Sequence, residues 1–353
     1  GNPMDPATIR SILESLEIRV EEEDEQGMAV RIPPYRVDVQ READVIEEIL
    51  RIYGFNRVEI TEGLRSTLSY TSKPHKEQVV NRTSDLLSSR GFYEMKSNSL
   101  TPASYYDMEE KDPRAVRLFN PLSQDLALMR QNLLYGGLET IAYNINRKHS
   151  DLLLYEFGNC YFLDREAKGE DPLEKYGESF RMGMLISGHV QVGNWMQKAV
   201  EASFYQLKTY VDLVLAKLGI DPMALDIQAS DNEDMEEAII YVLNKKPLVE
   251  FGRVARPKLK EFDIKQPVFA AEFDWDLVLE ALASHRILFK PLPRFQVVTR
   301  DFSLMLDKKV TFKSLRNLAF RAETKLLKQV TLFDVYEGDK IEKGKKSYAL
   351  TFT

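Results

Sequence analysis

The chain has 353 residues, 44% of them hydrophobic and 29% charged, with a net charge of −7. That length exceeds one ordinary core and implies two or three globular domains. No apolar run approaches the ~20 residues of a membrane span, and the opening GNPMDPATIR lacks the basic-then-apolar pattern of a secretory signal. The single cysteine, Cys160, excludes an internal disulfide framework and suits a reducing cytosol, and the four scattered histidines have no zinc-like spacing.

In chain order, Asp5 before Pro6 reads as an N-cap with proline at the first helical position, opening a helix through ATIRSILESL. The acidic EEEDEQG reads as a turn and MAVRI as an alternating strand. After Pro33-Pro34, a helix runs from about Arg41 to Tyr53 and stops at Gly54. NRVEITEGLRSTLS reads as the exit linker of this small module. A second region, 74–285, opens with the helix KPHKEQVVNRTSDLLSSR and the alternating strand FYEMKSNSL. It continues with a short helix from Thr101-Pro102, a strand at AVRLFN, a helix over QNLLYGGLETIAYNINR and the mostly apolar strand LLLYEFGNCYF. RMGMLISGHV, the helix SFYQLKTYVDLVLAKLG and a hairpin at AIIYVLNKKPLVEFGRV come next. A helical turn at RPKLKEFDI, the strand VFAAEFDWD and a helix to about Leu282 close the region. Strands outnumber helices without alternating one for one, which implies an α+β domain on a largely antiparallel sheet. Gly136-Gly137 lies inside a helical pattern and reads as a close-packing site.

A proline-stiffened KPLPRFQ leads to the third region, 290–353. It reads strand VTRDFSLMLD, helix TFKSLRNLAFRAETKLL, strand VTLFDVYEG and strand KKSYALTFT. This β-α-β-β order is a ferredoxin-like unit short of one helix and one strand, so truncation is the expectation. Residues 286–353 hold 15 Lys/Arg against 7 Asp/Glu, while the rest of the chain holds 33 against 48. A basic end on an acidic body is the asymmetry of a chain meeting a polyanion, or simply a Lys-rich surface.

Asp38, Asp44, Glu47 and Glu48 fall within eleven residues where a helix begins. The last three sit at i, i+3 and i+4 and so share a helix face. Oxygen-only donors at that density suit Mg²⁺ or Ca²⁺. An acidic first turn stabilised by the helix dipole, with Glu47 pairing Arg51, is the other reading.

The segment PPYRVDVQREADVIEEILRIYGFNRV resembles a signature of the bacterial phenylalanyl-tRNA synthetase β subunit. The resemblance continues collinearly. LMRQNLLYGGLETIAYNINRK…LLLYEFGNCYF and LVEFGRVARPKLKEFDIKQPVFAAEFDWDLV look like that family's synthetase-like central domain. PLPRFQVVTRDFSLMLD…LFDVYEGDKIEKGKKSYALTF looks like its ferredoxin-fold anticodon-binding domain. The resemblance implies an (αβ)₂ heterotetramer with a catalytic α subunit, using ATP and Mg²⁺ to join phenylalanine to its tRNA in the cytoplasm. It implies Mg²⁺ at Asp38, Asp44, Glu47 and Glu48, shared with the α subunit. ATP is not expected to bind this chain, because the arginines that hold phosphates in the class II core have no counterpart at LLLYEFGN or EFGRVARP. The expected architecture is therefore α+β and multidomain. It comprises a small helix-rich, winged-helix-like module at 1–60, a degenerate class II synthetase-like core at 74–285, and a truncated ferredoxin-like domain at 290–353. Tyr135, Tyr143, Tyr155 and Phe157 are expected in core or interface, and Arg294, Arg300, Lys345 and Lys346 at the tRNA. The rival expectation is a stand-alone RNA-binding or scaffold protein derived from such a subunit.

Overall fold

A computed structural model describes residues 3–24, 27–58, 66–68, 74–106, 113–166, 171–284, 289, 294–338 and 341–353. The chain separates into two compact units, 1–83 and 84–353. In the first, α1 (Pro6–Ser15) is capped by Asp5, whose carboxylate accepts the Thr8 N–H at 3.2 Å. The strands β1 (Arg19–Glu23) and β2 (Met28–Arg31) form an antiparallel pair, and α2 (Glu42–Tyr53) follows. Part of the acidic stretch read as a turn is thus strand: Glu21, Glu22 and Glu23 all belong to β1. A pairing partner, Met28–Arg31, outweighs the weak strand preference of glutamate. Ile12, Leu13, Ile18 and Val39 are buried, and Gly54 ends α2 with φ of +96°, a conformation open to glycine.

The division between the units falls within α3 (Lys76–Ser88). The second unit is built on β3 (Tyr93–Glu94), β4 (Leu152–Leu163), β5 (Tyr176–Ser187), β6 (Asp226–Ala229), β7 (Met235–Leu243), β8 (Lys246–Val254) and β9 (Val268–Asp274). They form a seven-stranded sheet ordered β6-β7-β8-β9-β5-β4-β3, antiparallel except where β3 meets β4. The expected β7–β8 hairpin closes through Asn244 and Lys245, both at positive φ (52° and 69°), the two-residue turn whose twist matches its strands. Around the sheet lie α4 (Leu134–Ile145), α5 (Phe204–Lys217), α6 (Arg256–Glu261) and α7 (Trp275–Ser284). Two expected strands shrink. Of FYEMKSNSL only Tyr93–Glu94 joins the large sheet, with Leu100 pairing elsewhere, and AVRLFN makes a single bridge from Arg117 to Leu128. Each keeps only a short ladder, AVRLFN with residues 127–129 through the Leu118 N–H to the Ala127 carbonyl and the Met129 N–H to the Val116 carbonyl, so alternation alone does not extend a strand.

α4 packs closely, as its glycine pair implies. A Cβ on Gly136 would stand 2.6 Å from Ser97 Oγ, and one on Gly137 2.6 Å from Leu185. Beneath this helix lies a polar contact inside the core. Arg130 donates through Nη1 to Glu156 Oε1 (2.7 Å) and Ser97 Oγ (2.9 Å), and through Nε to the Asn159 carbonyl (2.9 Å). The two charged side chains are 6% and 0% exposed. Gly158 leaves room for the guanidinium, since a Cβ there would lie 2.0 Å from Arg130 Nη2.

At the C-terminal end, β10 (Arg300–Asp307), α8 (Phe312–Ala322), β11 (Val330–Tyr336) and β12 (Lys345–Phe352) give an antiparallel sheet ordered β10-β12-β11. The first turn of α8 reaches the 222–226 segment: Lys313 pairs with Asp226 at 2.7 Å and Arg316 donates to the Met223 carbonyl. Phe295, Phe302, Leu326 and Phe352 line an apolar cleft of about 700 Å³ beside α8.

The buried pair sets a stability expectation. Arg130→Met strands Glu156 as an uncompensated buried carboxylate and costs about 3–5 kcal/mol. Arg130→Met with Glu156→Met recovers much of that loss, read by denaturant unfolding of both variants.

Candidate functional site

The acidic turn is assembled from Pro33 onward. The Arg36 N–H bonds to the Pro33 carbonyl (3.0 Å) and the Val39 N–H to the Arg36 carbonyl (3.3 Å), so two successive turns bury Val39 and deliver the chain to α2. Asp44 caps that helix. Its Oδ2 accepts the N–H groups of Gln40 (3.0 Å) and Arg41 (2.9 Å), and Arg41 Nη2 reaches Oδ1 at 3.1 Å. The Arg41 guanidinium, and then the two backbone donors, push the Asp44 carboxyl down to about 2.

Glu48, one helical turn further on, lies between two guanidiniums. Arg51 Nη2 and Arg36 Nη2 each stand 2.7 Å from Oε2, and Arg51 Nε is 3.3 Å from Oε1. Arg51 first and Arg36 second push its carboxyl down to about 2. Asp38 is 69% exposed, with Arg36 Nε 3.7 Å away, and Glu47 is exposed. Arg51 therefore pairs with Glu48 at i+3, where the sequence suggested Glu47 at i+4. Among the described residues no group of three or more His, Cys, Asp or Glu side chains is placed to hold a metal ion. Asp38, Asp44, Glu47 and Glu48 have the oxygen chemistry of a Mg²⁺ site, but their arrangement in this chain does not fit one.

The aromatic residues of the large sheet region divide. Tyr135, Tyr155 and Phe157 are buried, whereas Tyr143 is exposed beneath the Arg147 guanidinium, 3.3 Å from its ring centre. Glu156 faces the core and Arg130, not an open cleft. Sequence reading passed over this pair; its one signal was a lone glutamate inside the apolar run LLLYEFGNCYF.

The four cations expected at RNA do not share one surface. Arg294 is exposed ahead of β10, and Arg300 begins that strand with Nη1 donating to the Thr299 carbonyl at 2.9 Å. Lys345 and Lys346 are consecutive on β12 and so point to opposite faces. Lys345 pairs with Glu342 at 2.6 Å, while Lys346 is 8% exposed and lies 4.5 Å from the Tyr348 ring centre.

Three family matches follow the order of these parts. Residues 1–55 match the tRNA synthetase B5 domain, 60–275 the phenylalanyl tRNA synthetase beta chain CLM domain, and 293–353 the ferredoxin-fold anticodon binding domain. The phenylalanine–tRNA ligase beta subunit of Bacteroides fragilis is 43% identical over 100% of this chain. The chain belongs to the phenylalanyl-tRNA synthetase β-subunit family. Within this family, the Porphyromonas gingivalis β subunit is also 43% identical and that of Latilactobacillus sakei 32% identical, each over 100% of this chain. The chain spans 44% of the length of the B. fragilis and P. gingivalis relatives and 43% of that from L. sakei. A solved pyrrolysyl-tRNA synthetase from Desulfitobacterium hafniense overlays with a TM-score of 0.43 at 15% identity, covering 58% of this chain and 68% of that one. The β-subunit chain is a mixed α/β multidomain protein with a ferredoxin-like anticodon-binding domain. No described helix is long and apolar enough to cross a membrane.

The placement of the two lysines separates their roles. Lys346→Ala removes a largely buried side chain whose ammonium lies over the Tyr348 ring and lowers the melting temperature by a few degrees, whereas Lys345→Ala leaves it within about a degree, as measured by differential scanning calorimetry.

Proposed function

We propose that the chain is the non-catalytic β-subunit part of a phenylalanine–tRNA ligase. It supports assembly with a catalytic α subunit in an (αβ)₂ heterotetramer and binds tRNA(Phe) during ATP-dependent charging with phenylalanine in the cytoplasm. The observation that carries this reading is 43% identity along the whole chain to β subunits bearing that name, with the B5, CLM and anticodon-binding segments in order.

Finer assignments accompany it. Residues 1–60 act as a winged-helix-like module, supported by the order helix, antiparallel pair, helix. Residues 74–285 act as a degenerate class II core, supported by a seven-stranded, mostly antiparallel sheet with helices. Residues 290–353 are the tRNA-facing domain, supported by the anticodon-binding family match and by 15 cationic against 7 acidic residues over 286–353. ATP belongs to the α subunit on this reading. Arg294 and Arg300 are the better placed of the four RNA candidates, being exposed and free of carboxylate partners among the described residues. Mg²⁺ shared with the α subunit at Asp38, Asp44, Glu47 and Glu48 needs donors or rearrangement that the chain alone does not supply.

Co-expression with a phenylalanyl α subunit is expected to pull the chain into a complex that binds tRNA(Phe), and the affinity falls steeply with salt. Arg294→Ala with Arg300→Ala reduces the slope of log affinity against log salt by about 1–2. A chain that binds tRNA yet stays apart from the α subunit would instead be a stand-alone RNA-binding protein.

A further inference from the structure

Three guanidinium contacts occupy most of the Glu48 carboxylate and leave one lone pair, on Oε1, for any cation. Both guanidiniums meet its Oε2 at 2.7 Å, and the Nε of Arg51 covers Oε1 at 3.3 Å. The Glu48 and Arg36 side chains are 14% and 19% exposed, so the contact is sheltered for a surface feature. Charge-assisted bonds of this length are about twice as strong as neutral ones. A dication approaching Glu48 would also meet two like charges within hydrogen-bonding range, and their repulsion grows as water is excluded. Asp44 is equally committed: two backbone N–H groups hold one oxygen and Arg41 holds the other. Only Asp38 and Glu47 remain exposed, fewer protein ligands than an acidic cage would offer a hard cation.

The two arginines come from different places. Arg36 lies in the turns after Pro34, whereas Arg51 lies on α2 with Glu48. Their shared carboxylate therefore ties the loop 33–39, and with it the buried Val39, to the helix.

We infer that Glu48 is the centre of an arginine clasp that neutralises and fixes the acidic turn without a metal, and that a divalent cation at Glu48 and the closed clasp exclude one another. This qualifies the shared Mg²⁺ in the function proposed above: any such ion must open the clasp or do without Glu48.

The chain by itself tests this, with Mn²⁺ counted by the loss of its free-ion EPR signal. The unaltered chain is expected to bind no Mn²⁺ at submillimolar concentration. Its melting temperature should be the same in millimolar MgCl₂ as in NaCl of equal ionic strength. Glu48→Gln is expected to lower that temperature by a few degrees and to speed amide hydrogen exchange several-fold across 33–41, while Asp38→Asn changes neither. Stoichiometric Mn²⁺ binding lost in both Glu48→Gln and Asp38→Asn, with Mg²⁺ raising the melting temperature, would overturn the clasp. Because no α subunit is present, failure of the chain to assemble with α removes the functional reading and leaves this result standing.

Discussion

The large sheet of this protein closes over an ion pair, and much of its local sequence follows from accommodating it. Arg130 and Glu156 are both inside the core, where an isolated charge is costly to hold. Each is satisfied several times over. Ser97 donates its N–H and its hydroxyl to the glutamate, and the Asn159 carbonyl takes the arginine's Nε. Gly158 lacks a side chain where the guanidinium lies. The same segment also holds the start of α4, since the Leu133 N–H donates to Glu272 at 2.7 Å, and Glu272 in turn pairs with Arg181. Charged groups thus fix the relation of three strands and a helix that apolar packing alone would leave freer to slide.

Arginine recurs as the internal counter-ion. In the first unit Arg36, Arg41 and Arg51 answer the carboxylates that looked from sequence like a cation site. A planar guanidinium suits this role because its donors can meet a carboxylate and a neighbouring acceptor at once. The contrast between the units lies in exposure. The Arg130 pair is sealed, and removing one partner strands the other, whereas the clasp at Glu48 borders solvent and can in principle open.

Much of the fold was legible as pattern. Asp5-Pro6 marked a capped helix and Gly54 a helix end, because each depends on residues near in sequence, while Gly136-Gly137 marked a close approach and KKSYALTF a strand by residue type and pattern although their partners are distant. Less was legible where a partner strand decided. EEE became strand because Met28–Arg31 lay opposite it, and AVRLFN shrank to one bridge because its pairing is confined to the short segment 127–129. The acidic turn was readable as a cluster but not as chemistry. Helical spacing put Asp44, Glu47 and Glu48 on one face, yet which arginine meets which acid depends on rotamers and on the turn at Pro33. KPLPRFQ lies partly outside the described residues, and so does the exit linker after Arg57.

By itself the sequence determined the family, the order of its three parts, the helix boundaries set by caps and glycines, and which acids and cations merit attention. These rest on local backbone chemistry and on residue identities that a linear pattern preserves. Only the tertiary structure decided that Lys346 is buried against Tyr348 while its neighbour Lys345 faces the other way, that Glu48 is held by two arginines, and that Arg130 and Glu156 are one buried unit. Charge and burial belong to the space around a side chain, and that space is filled by residues distant in sequence.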